Sequence, residues 1–376
     1  MNHSQLGKLE AISLIIIIIL NHIVLNLPKT LLDQCGSSIS LNTIYITILV
    51  FIFSSIILKL WKPFKNSDIL DISEFLGGKI LKSIIGFLFI LYFITISSAL
   101  LRNFAEILKL VYFEKATVGF VVLVFLIAAI IANRFGFRTI IGTNLIVVPI
   151  ILVNLLIAFF CVSTRFDINR IFPIFGYGIN QTFFSGISNI FAFTGISCLY
   201  FLKPLLKNPD DFNKVTFLSI GISAFYLFLS VTTLLFSFAD VLTINELSPI
   251  YLLIRGTDFG RFLQRPDALF ILGWILSLMS YLSIVIFFSL HAFKKITKIQ
   301  YAKPMIYCIS AIIFIFALIP KNMVEIRFVQ NTIFKYFTII LVFGISFFIL
   351  LFAYIKHKKK NAKTPKEDLV KNEEKL

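Results

Sequence analysis

The stretch that decides the fold is Ile171–Leu206, which reads IFPIFGYGINQTFFSGISNIFAFTGISCLYFLKPLL. It is apolar enough to cross a bilayer. It nevertheless carries Gly176, Gly178, Gly186 and Gly195, together with Asn180, Gln181, Thr182, Ser185, Ser188, Asn189, Thr194 and Ser197. A helix that served only as an anchor would be filled with Leu and Ile. Glycines and amides free backbone groups from the helix, and at membrane depth such groups are tolerated only where they are buried in protein or line a cavity. Interrupted spans of this kind build the midplane sites of many secondary transporters. The stretch therefore reads as a substrate-sensing element, and the other spans as the scaffold around it.

Composition agrees with that setting. The 376-residue chain is 58% hydrophobic and only 14% charged, whereas a soluble domain lies nearer half apolar and a quarter charged. Many continuous apolar runs near 20 residues imply an all-α polytopic membrane protein. An outer-membrane barrel is excluded, because its strands alternate in hydrophobicity. The net charge of +16 would suggest nucleic acid in a soluble protein. Here the lysines sit in loops and in the C-terminal tail, as topology and lipid headgroups require, so no nucleic-acid partner is expected. Cys35, Cys161, Cys198 and Cys308 are far apart and form no CxxC pair, so neither a disulfide framework nor a zinc site is expected. The N-terminal run lacks a cleavage site and reads as a retained span.

Ten spans fit the hydropathy, at 9–27, 41–60, 80–101, 117–133, 139–162, 180–202, 214–238, 268–291, 303–320 and 333–355. Residues 1–355 form one transmembrane domain on this reading. Residues 356–376, a charged tail without apolar periodicity, are expected to be disordered. With the N-terminus cytoplasmic, roughly two-thirds of the Lys and Arg fall inside, and the tail supplies much of the margin. Both termini are then cytoplasmic. Ten spans divide into five and five. An odd number per half makes any internal repeat inverted, and the first span of each half is the interrupted one. Span 1 carries Asn21, His22 and Asn26 before Pro28, and span 6 carries the glycines. Paired interruptions at corresponding positions point to a binding site.

Candidate residues follow from helical spacing. Thr182, Ser185, Gly186 and Asn189 share one face of span 6. Thr194, Gly195 and Ser197 join a site only if the helix unwinds near Ala192–Gly195. The competing reading is that these small residues only allow close helix packing. In span 1, His22 and Asn26 lie one turn apart, and a polar residue at that depth needs a partner or a cavity. Tyr92, Thr95, Arg102 and Glu106 align on span 3. Arg102 and Glu106 can pair at i, i+4, either as a simple interfacial ion pair or as a gate at the outer mouth of a cavity. Span 8 aligns Gly273, Ser277, Ser280 and Tyr281. In the outer connection Asn245–Asp267, Ser248 before Pro249 signals a helix start, read either as an amphipathic helix on the outer surface or as a helix packed over spans 7 and 8. HExxH, GxSxG and Walker motifs are missing and the histidines are scattered, so no enzyme, cofactor or metal is expected.

The order and spacing of PFKNSDILDISEFLGGKILKSIIG (63–86), LLRNFAEILK (100–109), IFPIFGYGINQTFFSGISNIFAFTGIS (171–197) and ELSPIYLLIRGTDFGRFLQRPDALFILGWI (246–275) resemble the B subunits of spore germinant receptors. These are endospore germination permeases of the amino acid–polyamine–organocation superfamily. The resemblance covers about residues 5–355; where the family often has Thr-Pro at the start of span 4, this chain has Ala116-Thr117. It implies a LeuT-like five-plus-five inverted repeat with helices 1 and 6 interrupted. It further implies recognition of a small germinant, often an amino acid, beside A and C subunits in the spore inner membrane. The positions that match the ligand region are Asn21–Asn26 and Gly186–Ser197, walled by span 3 around Tyr92 and span 8 around Tyr281. A cation-coupled amino acid transporter on the same fold is the competing reading.

Overall fold

The computed structural model describes residues 5–23, 27–237, 249–257, 266–299 and 301–373, with the backbone alone for 362–373. Among the described residues the chain is helical with no β-strand; a single bridge pairs Leu6 with Leu206. Seven helices are long and apolar enough to cross a membrane, and a bent pair at 180–205 makes an eighth. The shorter apolar helices α1 (Lys8–Ile23) and α11 (Met305–Leu318) fill the two remaining predicted positions.

The first span is longer than its hydropathy suggests. After α1 the chain resumes as α2 (Leu27–Cys35), a segment that the sequence reading left as a connection. Lys29, Asp33 and Gln34 lower its hydropathy, but Lys29 and Asp33 pair at 2.6 Å along one exposed side. Leu27, Leu31 and Cys35 turn the other side inward. Gly36, at φ 63°, opens a 3₁₀ turn (Gly36–Ser38) that leads into α3 (Ile39–Trp61). The isoleucine run Ile15–Ile19 is buried all round. A helix apolar on every face belongs at the centre of a bundle, and α1 packs there against α6 (Phe137–Val162), α8 (Phe212–Ser237) and α10 (Pro266–Thr297).

Asp68 caps α4 (Ile69–Val111), accepting from the Leu70 and Asp71 amides. Gly77 and Gly78 break α4 near its start, so Ile69–Leu76 and the long span form separate rods. Thr117 caps α5 (Val118–Phe135). The sixth span is irregular throughout. Asn180–Phe184 is a π turn and Ser185–Phe193 is 3₁₀. After Thr194 and Gly195 the chain resumes as α7 (Ile196–Leu202), bent by 46°.

In the outer connection, α9 (Pro249–Arg255) is a single short helix with Ile250, Tyr251, Leu253 and Ile254 buried. It packs against α8 and α10, the packing alternative for this segment; its expected cap, Ser248, lies outside the described residues. The tenth span runs from α12 (Met323–Phe328) through a π stretch (Val329–Phe334), α13 (Lys335–Thr338) and a second π stretch (Ile339–Ile345) into α14 (Ser346–Glu373). The backbone of α14 is helical to Glu373, through much of the charged tail. A helix already formed in the membrane extends without a new nucleation step.

One end of the bundle is tied together by polar contacts. The Leu6 N–H donates to the Leu205 carbonyl at 2.8 Å, and the Lys207 N–H to the Leu6 carbonyl at 2.9 Å. Lys203 donates to the Trp61 carbonyl, and Lys356 to the Phe75 and Leu76 carbonyls at the broken start of α4. Lys295 of α10 reaches Asp68 at 2.6 Å and Asp71 at 2.5 Å, and His291 lies 3.4 Å from Asp68. Burial alone would push the Asp68 carboxyl up. The His291 hydrogen bond and the Lys295 charge outweigh that and hold it well below the usual carboxylate range. This clamp fixes the foot of α4 to the end of α10.

Candidate functional site

A hollow of about 40 Å³ lies beside the end of α1 and the start of α2. At roughly 10–15 Å³ per water, that admits about three. Its walls come from the end of α1 (Asn21, His22), the start of α2 (Leu27, Thr30), α4 (Ile96, Ala99, Leu100, Asn103), span 6 (Phe191, Ala192) and the π stretch of span 10 (Gln330, Asn331, Phe334).

Two neighbouring residues of α1 clasp two residues of α10 that are one turn apart. The Asn21 Nδ2 donates to Ser277 Oγ at 2.8 Å, to the Ser277 carbonyl at 3.4 Å and to the Ile17 carbonyl at 2.7 Å. Its Oδ1 is buried with no partner among the described residues. Next to it, His22 Nε2 and the Tyr281 hydroxyl lie 3.0 Å apart, and the imidazole stacks on Phe334 at 5.1 Å between centroids. These contacts fix the end of α1 against α10.

Tyr92 is fully buried. Its hydroxyl lies 3.3 Å from Thr338 Oγ1, and its ring stacks on Phe334, so it stands one layer behind the hollow. Thr95 donates to the Leu91 carbonyl of its own helix and does not line the space. Arg102 and Glu106 form a 2.7 Å ion pair, and Arg102 also reaches the Ala317 carbonyl of α11. The pair flanks Asn103, with Arg102 one residue before it and Glu106 three residues after it, and both side chains are largely buried.

The polar face of span 6 is used differently. Asn42 of α3 donates to the Thr182 carbonyl at 2.7 Å and the Gly186 carbonyl at 3.2 Å, and it accepts from Asn189 Nδ2 at 3.0 Å. A Cβ on Gly186 would strike Asn42 itself. Gly186 and Asn189 thus bind α3 and stand away from the hollow. At the break, Gly195 lets α1 approach, since a Cβ there would strike Ile19. The Thr194 hydroxyl is buried without a partner among the described residues. Ser197 donates its amide to the Thr194 carbonyl. Asn26 lies outside the described residues.

Sequence reasoning missed Asn103, Gln330 and Asn331. The last two fell in a connection because span 10 was started at residue 333, yet π stretches inside helices often mark functional positions. Thr30 Oγ1 lies 3.2 Å from Asn331 Oδ1, and Gln330 donates to the Ala99 carbonyl at 3.4 Å.

Among the described residues, eight candidate spans and two shorter apolar helices around a small polar hollow define a permease-type membrane protein. The same fold is seen in the substrate-bound outward-open state of a Na⁺-coupled sialic acid symporter, with a TM-score of 0.64 over 90% of this chain and 79% of that one, at 10% identity. The arrangement is thus a LeuT-type five-plus-five fold. The chain belongs to the spore permease family, described as "Spore germination protein", which it matches over residues 5–326. Among its relatives in Bacillus subtilis (strain 168), Spore germination protein B2 is 25% identical, with 89% of this chain and 91% of that protein covered. Spore germination protein YndE is 22% identical, covering 84% and 89%. Spore germination protein A2 is 24% identical, covering 85% and 87%.

Proposed function

We propose that this chain is the membrane-embedded sensing subunit of a germination receptor, with a small nutrient germinant, an amino acid above all, as its ligand. The observation that carries the reading is the hollow at the α1–α2 break, where Asn21 and His22 are fixed across to Ser277 and Tyr281. Membership of the spore permease family supports a role in germination. A nutrient that binds one arrangement of the half-helices better than another shifts the population by that difference in affinity. Partner A and C subunits, by this proposal, pass the change on. The chain sits in the spore inner membrane with both termini cytoplasmic, which places the Asp68–Lys295 clamp inside and the Arg102–Glu106 gate outside.

Spores lacking this chain should fail to germinate on at least one nutrient that triggers the parent strain. Normal germination on every amino acid and sugar tried would sink the proposal. The fold shared with a Na⁺-coupled symporter favours a second reading, cation-coupled uptake. Sodium-dependent accumulation of labelled alanine in proteoliposomes holding this chain alone would establish that reading instead.

A further inference from the structure

We propose that the foot shared by α3, α4 and α14 is a docking surface for the phosphate headgroup of an anionic phospholipid; this does not depend on the sensing role proposed above. α14 packs against both α3 and α4. Its first charged turn is pinned there. Lys356 Nζ donates to the Phe75 and Leu76 carbonyls, and the His357 ring lies 5.5 Å from Phe64 and 6.5 Å from Phe75 between centroids. Lysines crowd around these contacts: Lys62 and Lys65 flank Phe64 in the chain, Lys79 follows Leu76 by three residues, and Lys358 and Lys359 directly follow His357. All five are exposed, and none forms an ion pair with a described residue.

The carboxylates of this foot are already engaged. Glu74 pairs with Lys82 at 2.6 Å, and Asp68 and Asp71 both pair with Lys295. The five ammonium groups therefore lack a protein counter-ion among the described residues. Their position says what supplies one. Each of the three helices carries exposed apolar side chains that no described part of the chain covers: Ile52 and Ile56 on α3, Ile80 and Ile84 on α4, Phe352 and Ile355 on α14. On a membrane-spanning helix such side chains meet acyl chains. The lysines begin where these stripes stop. Lys359 lies one turn beyond Ile355 on the same face of α14, and Lys79 directly precedes Ile80. That level is the boundary between acyl chains and headgroups, where a lysine stem lies along apolar surface and its ammonium reaches a phosphate. A polybasic cluster there attracts anionic lipid. In a zwitterionic headgroup the lipid's own cation offsets the phosphate. A phospholipid presents phosphate and acyl chains in one molecule, which matches both halves of this surface.

The test titrates fluorescent phosphatidylglycerol into the full-length chain in maltoside micelles, with fluorescent phosphatidylcholine as the zwitterionic probe. The parent should bind phosphatidylglycerol more tightly by about tenfold or more, and added salt should weaken that binding. Lys65→Gln/Lys79→Gln/Lys359→Gln takes one charge from each of the three segments. It should weaken phosphatidylglycerol binding by about tenfold or more, since each lysine near a lipid surface contributes about fivefold. Arginine at the same three positions keeps the charge and should stay within about threefold of the parent. Arg134→Gln/Lys214→Gln/Lys303→Gln removes three charges from α5, α8 and the α10–α11 connection, and it should also stay within about threefold. Unfolding midpoints show whether each variant is folded.

Equal affinity for the two lipids overturns the proposal and leaves the lysines to an acidic protein surface. So does a foot variant that binds phosphatidylglycerol as the parent does. An equal loss in the two triple glutamine variants also overturns it, because net charge alone would then explain the binding. Inorganic phosphate, at the concentration where unlabelled phosphatidylglycerol displaces half of the probe, should displace almost none, since it lacks acyl chains. Equal displacement overturns the lipid as the source of the phosphate. If the triple foot variant does not fold, Lys359→Glu in the α14 extension decides alone. A rise of about fivefold or more in the phosphatidylglycerol Kd supports the proposal, and parental binding overturns it.

Discussion

At the break in the first span, Asn21 and His22 reach across to α10 and border a hollow. In the irregular first part of the sixth span, Thr182, Gly186 and Asn189 reach across to Asn42 of α3 and stand away from it, while Phe191 and Ala192, nearer the bend, supply apolar wall. Both spans are rich in polar groups, and both interrupt the helix. In span 6 the π and 3₁₀ turns free carbonyls, and Asn42 takes up two of them, so the irregular backbone is satisfied inside the protein. In span 1 the Asn21 amide bonds through its nitrogen and leaves its oxygen unpaired. Irregular backbone at membrane depth is tolerated by burial in protein or by lining a cavity, and this molecule uses one solution in each span.

The largest effect should come from closing the space between the two breaks. A side chain on Gly195 would strike Ile19 and approach the Ile15 carbonyl at 3.3 Å, and buried backbone cannot yield as a side-chain tip can. Gly195→Val should cost about 3 kcal/mol or prevent accumulation. Thermal unfolding of the detergent-purified chain, or its level in membranes, reads this. Parental stability would show that the two spans do not meet as closely as described here.

The clamp at the foot of α4 comes next, because it holds α10, which in turn holds Asn21 and His22. Asp68→Asn leaves Lys295 with Asp71 alone and removes the charge facing His291, a loss of about 3 kcal/mol for a broken buried pair. The folded carboxyl titrates below its unfolded value, so its contribution is complete above about pH 4 and is lost as the pH falls toward the folded value. Parental stability should therefore not change through this group between pH 8 and 5, and should decline in stronger acid. Asp68→Asn should lack that acid-dependent component. Unfolding midpoints across pH for the two proteins check the sign.

Asn42→Leu should cost about 2 kcal/mol by leaving the Thr182 and Gly186 carbonyls and the Asn189 amide unpaired. Because none of these borders the hollow, the half-maximal nutrient concentration should stay within about threefold of the parent's once protein level is matched. A much larger rise would move the recognition site toward span 6 and break the contrast between the two spans.

The sequence marks both breaks, and the reason is local. Glycine and threonine in an apolar run weaken the helix wherever it folds, and the bend falls at Thr194–Gly195 as the residue pattern requires. The shared face of Thr182, Gly186 and Asn189 is legible too, since all three meet the same side chain. The identity of that side chain is not legible, because Asn42 lies 147 residues from Asn189 and no local spacing connects them. Asn103 is hidden for the opposite reason. It sits beside Arg102 in a helix whose other polar residues line up without it, and its exposure to the hollow depends on where span 10 crosses. Gln330 and Asn331 lower the hydropathy of the tenth span's start and so look like a loop, although their turn is helical.

The smallest effect sharpens the comparison most. Thr194 is the one polar side chain at the sixth break with an unpartnered hydroxyl, fully buried. Thr194→Val keeps its shape and removes that hydroxyl. If span 6 uses its break only for packing, the loss of an unsatisfied buried group should leave stability unchanged or raise it by up to about 1 kcal/mol, and the nutrient response should not move. If the hydroxyl meets a guest that enters when the half-helices separate, stability should behave in the same way while the half-maximal concentration rises about fivefold or more. Measuring unfolding and germination on the same variant separates the two outcomes. It thereby decides whether the hollow is bordered on one side by an inert break or extends into it when occupied.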